Sequence, residues 1–202
     1  KDCQKISAAA EKYKRRVIVC HVLRYTPFYK KIKEIIDEGK LGEIVTLCAT
    51  ENVGFYHQAH SFVRGPWRNS RESSPMILAK CCHDMDIIRW LMNERCREIS
   101  SFGELSFFTE ENAPACAAEY CSDCKVSDCI YNALRIYREH EWMANYFMSG
   151  EKTPQKIAEH LRHTRYDKCV FKTDNDVVDH QVTIMKFDGD KTAVHPARDL
   201  RR

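Results

Sequence analysis

The sequence predicts a fold of the α+β class, in which helices pack against a β-sheet. Three features of the 202-residue chain support this class. Residues 74–91, SPMILAKCCHDMDIIRWL, are apolar over most of a helical circumference and predict one buried helix. Apolar or alternating runs predict strands at 43–53, 97–108 and 176–187. The turn signal DGD at 188–190 predicts that the last of these strands folds back as a hairpin.

The first 23 residues predict a helix and a strand that edge a sheet. QKISAAAEKYK at 4–14 has an apolar side at helical spacing, and RVIVCHVL at 16–23 is a β-branched apolar run. A helix followed by a buried strand is the closing unit of an α/β sheet. Because two elements cannot make a domain, we interpret residues 1–23 as the end of a domain that begins before this chain. The alternative is that both elements edge the main domain, residues 24–202.

The next segment predicts a second helix, a strand and a loop. The helix spans 28–38, follows a turn at 24–27, and is stopped by the sequence GKLG. Residues 55–71 predict a loop with many hydrogen-bond donors, including Trp67 and Arg68. Such a loop suits a hydroxyl-rich or anionic small molecule. It is equally consistent with a surface loop that a buried tryptophan anchors.

The predicted central helix carries polar side chains on an otherwise apolar surface. Side chains three or four residues apart share a helix face, so Lys80, His83 and Asp84 are predicted to lie together. An imidazole beside an ammonium and a carboxylate has the parts for general acid–base catalysis near neutral pH. The alternative is a structural histidine that bonds to its helix neighbours.

Residues 109–168 break the strand pattern and predict a polar, partly helical insertion. The insertion contains the spacing C-x2-C-x4-C at Cys121, Cys124 and Cys129. A C-x2-C pair in a tight turn can present two thiolates to one metal ion, and zinc takes four nitrogen or sulfur ligands in a tetrahedron. The sequence therefore suggests a structural zinc site.

The C-x2-C-x4-C spacing supplies three zinc ligands and does not identify the fourth. We favour Cys169, because it lies where the insertion rejoins the sheet, and we keep Cys116 and His140 as alternatives. Zinc would then order residues 116–168, which we expect to have few apolar side chains of their own. An iron–sulfur cluster on the same four thiolates and unliganded thiols are the other interpretations.

The return strand after the hairpin is predicted to stop early. It begins at Lys191, but the last eight residues, HPARDLRR, are basic and contain a proline. Because proline cannot donate a hydrogen bond to a neighbouring strand, we expect the strand to end near Val194.

Composition excludes several classes of function. The net charge of +3 is too small to indicate nucleic-acid binding, and no stretch approaches the roughly 20 apolar residues that span a bilayer. Eleven cysteines without an apolar signal segment predict a reducing compartment and a cytoplasmic protein. The first residue is not methionine, so we expect the chain to begin inside a longer protein.

Three motifs, in this order, resemble the glucose–fructose oxidoreductase/inositol dehydrogenase (Gfo/Idh/MocA) family. Residues 24–45, RYTPFYKKIKEIIDEGKLGEIV, resemble its arginine–aromatic–proline turn, the helix that follows, and the entry into its substrate-domain sheet. Trp67 and Arg68 resemble its tryptophan loop. HDMDIIRWL at 83–91 resembles its central helix. The resemblance covers residues 4–194.

The resemblance implies a two-domain oxidoreductase. An N-terminal Rossmann domain binds NAD or NADP, and a second domain with an open, mostly antiparallel sheet and helices on one face holds a sugar, polyol or related substrate. Residues 1–23 would be the remnant of the first domain. Residues 24–202 would be the substrate domain, which forms homo-oligomers through its sheet.

The resemblance also implies roles for individual residues. His83 would lie at the substrate carbinol and help to move the hydroxyl proton, with Lys80 as its catalytic neighbour. The expected substrate contacts are Trp67, Arg68, Asp84 and His180, and the expected cofactor contacts are Arg24 and Tyr25.

The chain departs from the family in four places, one of which is its C-terminal tail. It contains no G-x-G-x-x-G fingerprint and no Glu-Lys-Pro segment, and Ala79 stands where the family usually has an acidic residue. A branch of the family with Glu-Lys-Cys-x-His-Asp at this point fits apart from Ala79. We therefore expect a piece of such an enzyme, truncated at both ends and inactive alone. The alternatives are a non-catalytic ligand-binding or assembly module of the same fold, and a zinc-dependent interaction domain.

Overall fold

The computed structural model describes residues 2–200. Its internal contacts divide the chain after Glu43 into two compact units. The predicted boundary after Leu23 concerns the origin of the first segment and stays a prediction. None of the helices formed by the described residues combines the length and the apolar composition needed to cross a membrane.

The first unit contains two helices, α1 (Asp2–Lys12) and α2 (Pro27–Asp37). Helix α2 starts as the sequence predicts, because Pro27 occupies its first turn and the Thr26 side chain accepts a hydrogen bond from the helix backbone. The strand predicted at 16–23 is not formed; residues 15–21 have no regular structure and a 3₁₀ turn follows them. A β-strand requires a hydrogen-bonded neighbour, and the described residues of this unit contain no other strand.

The second unit is built on a mixed sheet. The strands that the described residues form are β1 (Thr46–Cys48), β2 (Glu51–Gly54), β3 (Cys96–Glu104), β4 (His180–Phe187) and β5 (Thr192–Leu200). Their order is β1, β5, β4, β3, and β2 also pairs with β5. The central strand β4 is antiparallel to both of its neighbours, β3 and β5, as predicted, whereas β1 and β2 form an interrupted edge parallel to β5.

Strand β5 continues through the proline, so the predicted early end of this strand is wrong. The register explains why proline is tolerated. Strand β1 pairs with β5 as far as Val194, and β2 resumes the pairing at Ala197. Pro196 therefore faces the gap between the two edge strands, where no ladder partner needs its missing N–H.

Helices cover one face of this sheet, as predicted. Ile88 and Met92 of helix α5, residues Cys82–Met92, form a buried cluster with Met185, Phe187 and Ala193 of the sheet. The opposite face leaves apolar side chains in solvent, with Phe102 69% and Ile184 51% exposed.

The predicted central helix is two helices, α4 (Met76–Ala79) and α5. The break falls at Lys80, whose φ of −121° and ψ of −56° lie outside the helical region. Pro75 is the N-cap residue of α4, and no side chain caps that end.

The loop predicted at 55–71 is helical in its first part. A short helix α3 (Phe55–Gln58) passes into a π-helix (Ala59–Arg64) in which all six residues are buried. Gly65 ends this segment, and a Cβ atom there would lie 2.4 Å from the carbonyl oxygen of His60. Only glycine allows the chain to pass so close.

The insertion has a core of its own, so the expectation that it has few apolar side chains is wrong. Its helices are α6 (Ala133–Glu139) and α7 (Pro154–Leu161). Buried side chains from the insertion and its flanks form one hydrophobic cluster that includes Phe108, Tyr131, Ile136, Tyr137, Met143, Ile157, Leu161, Tyr166 and Phe171. The helices α6 and α7 place apolar residues at helical spacing toward this cluster.

Candidate functional site

An ion pair marks the junction between α4 and α5. Nζ of Lys80 lies 2.8 Å from Oε1 of Glu51, which comes from strand β2. Burial opposes the charged form of Lys80, but the hydrogen bond and the charge of Glu51 raise the pKa of Lys80 above its ordinary value. Lys80 is therefore a fixed ammonium group. The family usually has an acidic residue at the position of Ala79, directly before Lys80. In this chain, Glu51 of β2 places a carboxylate beside Lys80 instead.

Asp84 lies in the first turn of α5 and is largely buried. Burial, together with the negative charge of Glu51, raises the pKa of Asp84 to about 6. Its Oδ2 atom lies 3.7 Å from Nε2 of His195, a residue of β5 that is 2% exposed. Burial also lowers the pKa of His195, so this imidazole is neutral at pH 7.

His57, in α3, belongs to the same electrostatic environment. Burial lowers the pKa of His57, and the charge of Lys80 lowers it further, against the opposing effect of Glu51. Its ring centroid lies 6.0 Å from that of Phe62.

His83 is half-buried in the first turn of α5. Because Lys80 departs from helical geometry, the predicted single helix face that joins Lys80, His83 and Asp84 does not exist. The three residues instead surround a helix junction. The charge of Asp84 raises the pKa of Lys80, which is consistent with their proximity.

The predicted tryptophan loop is packed and hydrogen-bonded. Trp67 joins an apolar cluster with Phe62, Met76 and Cys81. The guanidinium of Arg68 binds Asp174 through two hydrogen bonds of 2.6 and 2.8 Å, and it also binds Glu72. Arg68 therefore fixes the loop to the segment before β4.

Three other predicted site residues belong to different elements of the chain. His180 starts β4 on the same side as the exposed Ile184, opposite to the face that the helices cover, and its Nδ1 lies 2.8 Å from Oδ1 of Asp179. Arg24 and Tyr25 belong to the 3₁₀ turn of the first unit, and Tyr25 is 67% exposed.

The four cysteines predicted as zinc ligands line one small cavity of about 20 Å³. They are Cys121, Cys124, Cys129 and Cys169. Arg64 lines the same cavity and is 1% exposed. Its Nη2 lies 3.4 Å from Sγ of Cys121, and its Nη1 has no partner among the described residues.

The sulfur atoms of these four cysteines do not lie close enough to one another to hold one metal ion as they stand. A different group does lie close together. Among the described residues, the one set of three or more metal-ligating side chains whose ligand atoms all lie within 4.8 Å of one another is Cys81, Asp84 and His195. Burial raises the pKa of Cys81 to about 12.

The sequence lacks the glycine-rich turn of a dinucleotide site. The chain has seven glycines, and no two of them are spaced as G-x-G. The backbone turn that would place N–H groups around a pyrophosphate is therefore absent from this sequence.

Comparisons with known proteins agree on one family. Residues 29–128 match the GFO/IDH/MocA C-terminal domain. The inferred oxidoreductase YteT of Bacillus subtilis (strain 168) is 27% identical over 196 residues, which cover 93% of this chain and 44% of YteT. The 1-carboxy-3-chloro-3,4-dihydroxycyclohexa-1,5-diene dehydrogenase of Comamonas testosteroni is 22% identical over 156 residues, which cover 77% of this chain and 38% of that enzyme.

A solved structure shares the fold. The crystal structure of scyllo-inositol dehydrogenase from Lactobacillus casei, with bound NAD(H) and scyllo-inositol, matches with a TM-score of 0.50 at 14% identity. The match covers 95% of this chain and 38% of that enzyme. The chain thus spans less than half the length of each of these relatives.

Proposed function

Residues 29–128 carry a GFO/IDH/MocA C-terminal domain, so the chain belongs to that family, and from this premise we propose that it is the substrate domain of an NAD(P)-dependent oxidoreductase. The substrate class is a sugar, polyol or related hydroxyl compound. Two relatives support this class: one is named as a dehydrogenase of a dihydroxy ring compound, and the other was crystallised with scyllo-inositol. The nicotinamide cofactor, NAD or NADP, would accept or donate the hydride.

The observation that carries the proposal is the ion pair that Glu51 forms with Lys80, three residues before His83. Oxidation of a hydroxyl group requires loss of its proton, and a half-buried imidazole can accept it. A fixed ammonium group lowers the energy of the negative charge that develops on the substrate oxygen. We assign the first role to His83 and the second to Lys80, which Glu51 holds in place.

Neighbouring residues would shape the substrate pocket. Trp67 offers an apolar wall for the carbon face of a ring, and Asp84 can accept a hydrogen bond from a hydroxyl group. Arg68 would act through loop geometry, since its guanidinium already binds Asp174 and Glu72. We also propose His180, on the opposite sheet face, as a substrate contact, and Arg24 and Tyr25 as cofactor contacts.

A direct test uses the natural protein with all the sequence that its gene encodes. Hydride transfer is assayed with a panel of inositols and sugars, with both NAD and NADP. His83→Ala should lower kcat by about 10²-fold or more, while His160→Ala, an exposed histidine of α7, should leave kcat unchanged. Equal kcat values for the wild type and His83→Ala would make His83 structural.

The second candidate is a non-catalytic ligand-binding or assembly module, which Ala79 favours. The isolated 202-residue chain is expected to show no saturable NADH binding by fluorescence. Polyol binding without turnover in the whole protein would select this candidate. Turnover that depends on His83 would exclude it.

We propose that the exposed sheet face mediates homo-oligomer formation. Phe102 lies beside Val182, which lies beside Pro196 on the next strand, so the three form an apolar stripe across the sheet. Burial of such a stripe in a partner would be favourable by roughly 25 cal/mol for each Å² removed from water.

We also propose a structural zinc ion at Cys121, Cys124, Cys129 and Cys169. Zinc bound to four thiolates carries a net charge of about −2. Arg64 is a buried cation on the same cavity whose Nη1 has no partner among the described residues, and a nearby negative charge would stabilise it. The sulfur atoms would have to move closer together on binding.

All eleven cysteines lie in the described part of the chain and none forms a disulfide, which suits a reducing compartment such as the cytoplasm.

A further inference from the structure

Three metal-ligating side chains meet where the central helices pack on the sheet, two from one helix start and one from a distant strand. Cys81 lies between α4 and α5, Asp84 lies in the first turn of α5, and His195 lies on β5. The sulfur, one carboxylate oxygen and one imidazole nitrogen all lie within 4.8 Å of one another. The packing of α5 on β5 brings them together, because no local sequence spacing relates position 195 to the other two.

The group is buried and incompletely bonded. Cys81 is 1% exposed and His195 is 2% exposed. Oδ2 of Asp84 and Nε2 of His195 have no hydrogen-bond partner among the residues that the structure describes. A buried polar atom without a partner destabilises a fold by about 1–3 kcal/mol. Two such atoms in one group point to a ligand that satisfies both.

The distance between these two atoms suits a shared metal ion. They are 3.7 Å apart, which is too long for a hydrogen bond. Zinc bonds nitrogen and oxygen at about 2.0–2.2 Å and sulfur at about 2.3 Å, so neighbouring ligand atoms in a tetrahedron lie about 3.3–3.8 Å apart. Thiolate, imidazole and carboxylate are also the three donor types that zinc prefers.

Lys80, the nearest cation in sequence, does not already fill this role. Its Nζ binds Glu51 at 2.8 Å, and Oδ2 of Asp84 has no hydrogen-bond partner in the described part of the chain. The three donors are therefore free to act together.

We propose that Cys81, Asp84 and His195 bind one divalent transition-metal ion, zinc by donor preference. Three protein ligands leave a fourth tetrahedral position open to water or to an oxygen of a ligand. The proposal does not depend on the oxidoreductase function, because it rests on the ligand geometry alone. It is also separate from the proposed four-cysteine site, which shares none of these residues.

The test measures metal binding in the complete chain with Cys124→Ser and Cys129→Ser as the background, which removes two of the four cysteines of the other site. Metal-free protein is titrated with Zn²⁺ against a chromophoric chelator and then with Co²⁺, whose thiolate charge-transfer absorption reports a sulfur ligand. One ion per chain should bind, and the absorption should appear. Loss of a ligand should weaken binding by at least about 100-fold, more than loss of an outer-shell partner.

The variants are Cys81→Ser, His195→Gln and Asp84→Asn, with Cys82→Ser as the matched control on the adjacent cysteine. Circular dichroism checks that each variant is folded, and zinc should raise the Tm of the background and of Cys82→Ser but not of the three ligand variants. If Cys81→Ser does not fold, Asp84→Asn, which keeps the side-chain shape, decides the result. Equal Zn²⁺ affinity in the background and in folded ligand variants would overturn the proposal.

Discussion

Nδ1 of His60 lies 2.9 Å from the hydroxyl oxygen of Tyr137, and the ring of His60 stacks on Tyr166 with a centroid distance of 5.2 Å. These contacts join the π-helix to the core of the insertion. The imidazole is 2% exposed. Burial, with the positive charges of His57 and Arg64 as smaller causes, lowers the pKa of His60 to about 4.

This relationship predicts acid-sensitive stability. In the unfolded chain the pKa of a histidine is about 6.5, so below that pH the unfolded state binds a proton that the folded state does not. The stabilising effect of a neutral His60 is complete above about pH 6.5 and is lost as the pH falls toward about 4. The loss amounts to about 3 kcal/mol for a pKa difference of about 2.5 units.

Urea unfolding at a series of pH values checks this prediction. The free energy of unfolding should fall more steeply between about pH 6.5 and 4 in the wild type than in His60→Gln, which cannot titrate there. His160→Gln, at an exposed histidine of α7, should keep the wild-type slope. Parallel curves for the wild type and His60→Gln would show that His60 is not the acid-sensitive group.

Arg64 provides a second test of the same region. Its Nε donates to the carbonyl oxygen of Lys168 at 2.6 Å, and its Nη2 donates to that of Tyr131 at 2.8 Å. Arg64→Met would leave two buried carbonyl groups without these donors, so we expect the free energy of unfolding to fall by about 3 kcal/mol or more. Arg138→Met, at an exposed position of α6, should change it by less than about 0.5 kcal/mol. Similar urea midpoints for the two variants would contradict this role for Arg64.

The sequence predicted those elements whose signals are local. The apolar run at 74–91 identified the buried central helices, and β-branched alternation identified β4. It could not predict the break at Lys80, because no glycine or proline marks it and the ion pair with Glu51 depends on tertiary packing. The π-helix was mistaken for a loop because its many polar side chains hide the fact that the whole segment is buried.

The same limit applies to the candidate site. His83, Lys80 and Asp84 were found because they lie within one segment with a family pattern. Glu51 and His195 carry no local signal, since each acquires its role only when its strand packs beside the helix junction. Pro196, directly after His195, predicted that the strand ends there, because proline cannot donate a backbone hydrogen bond. The strand continues because neither β1 nor β2 pairs with β5 at Pro196.

The exposed sheet face predicts a change in oligomeric state on mutation. Phe102 is 69% exposed at the β3 end of the apolar stripe. Phe102→Glu would place a charge that must lose its hydration in the proposed interface, so the variant should be a monomer at concentrations where the wild type self-associates. Trp142→Glu changes an exposed aromatic residue of the insertion and should leave the assembly intact. Sedimentation velocity distinguishes these outcomes, and a wild type that remains monomeric would contradict the proposal.

The last prediction concerns the metal content of the insertion. If both proposed sites are real, the protein purified without a histidine tag should contain about two zinc ions per chain. Cys124→Ser should remove the one that Cys121, Cys129 and Cys169 share, and Cys81→Ser should remove the other. The hydrophobic core of the insertion should keep Cys124→Ser folded, so its proteolysis should be confined to the cysteine-bearing segment. Elemental analysis checks this prediction. The same zinc content in the wild type and in Cys124→Ser would show that these four cysteines are ordinary thiols. Arg64 would then be a buried cation that carbonyl groups alone stabilise.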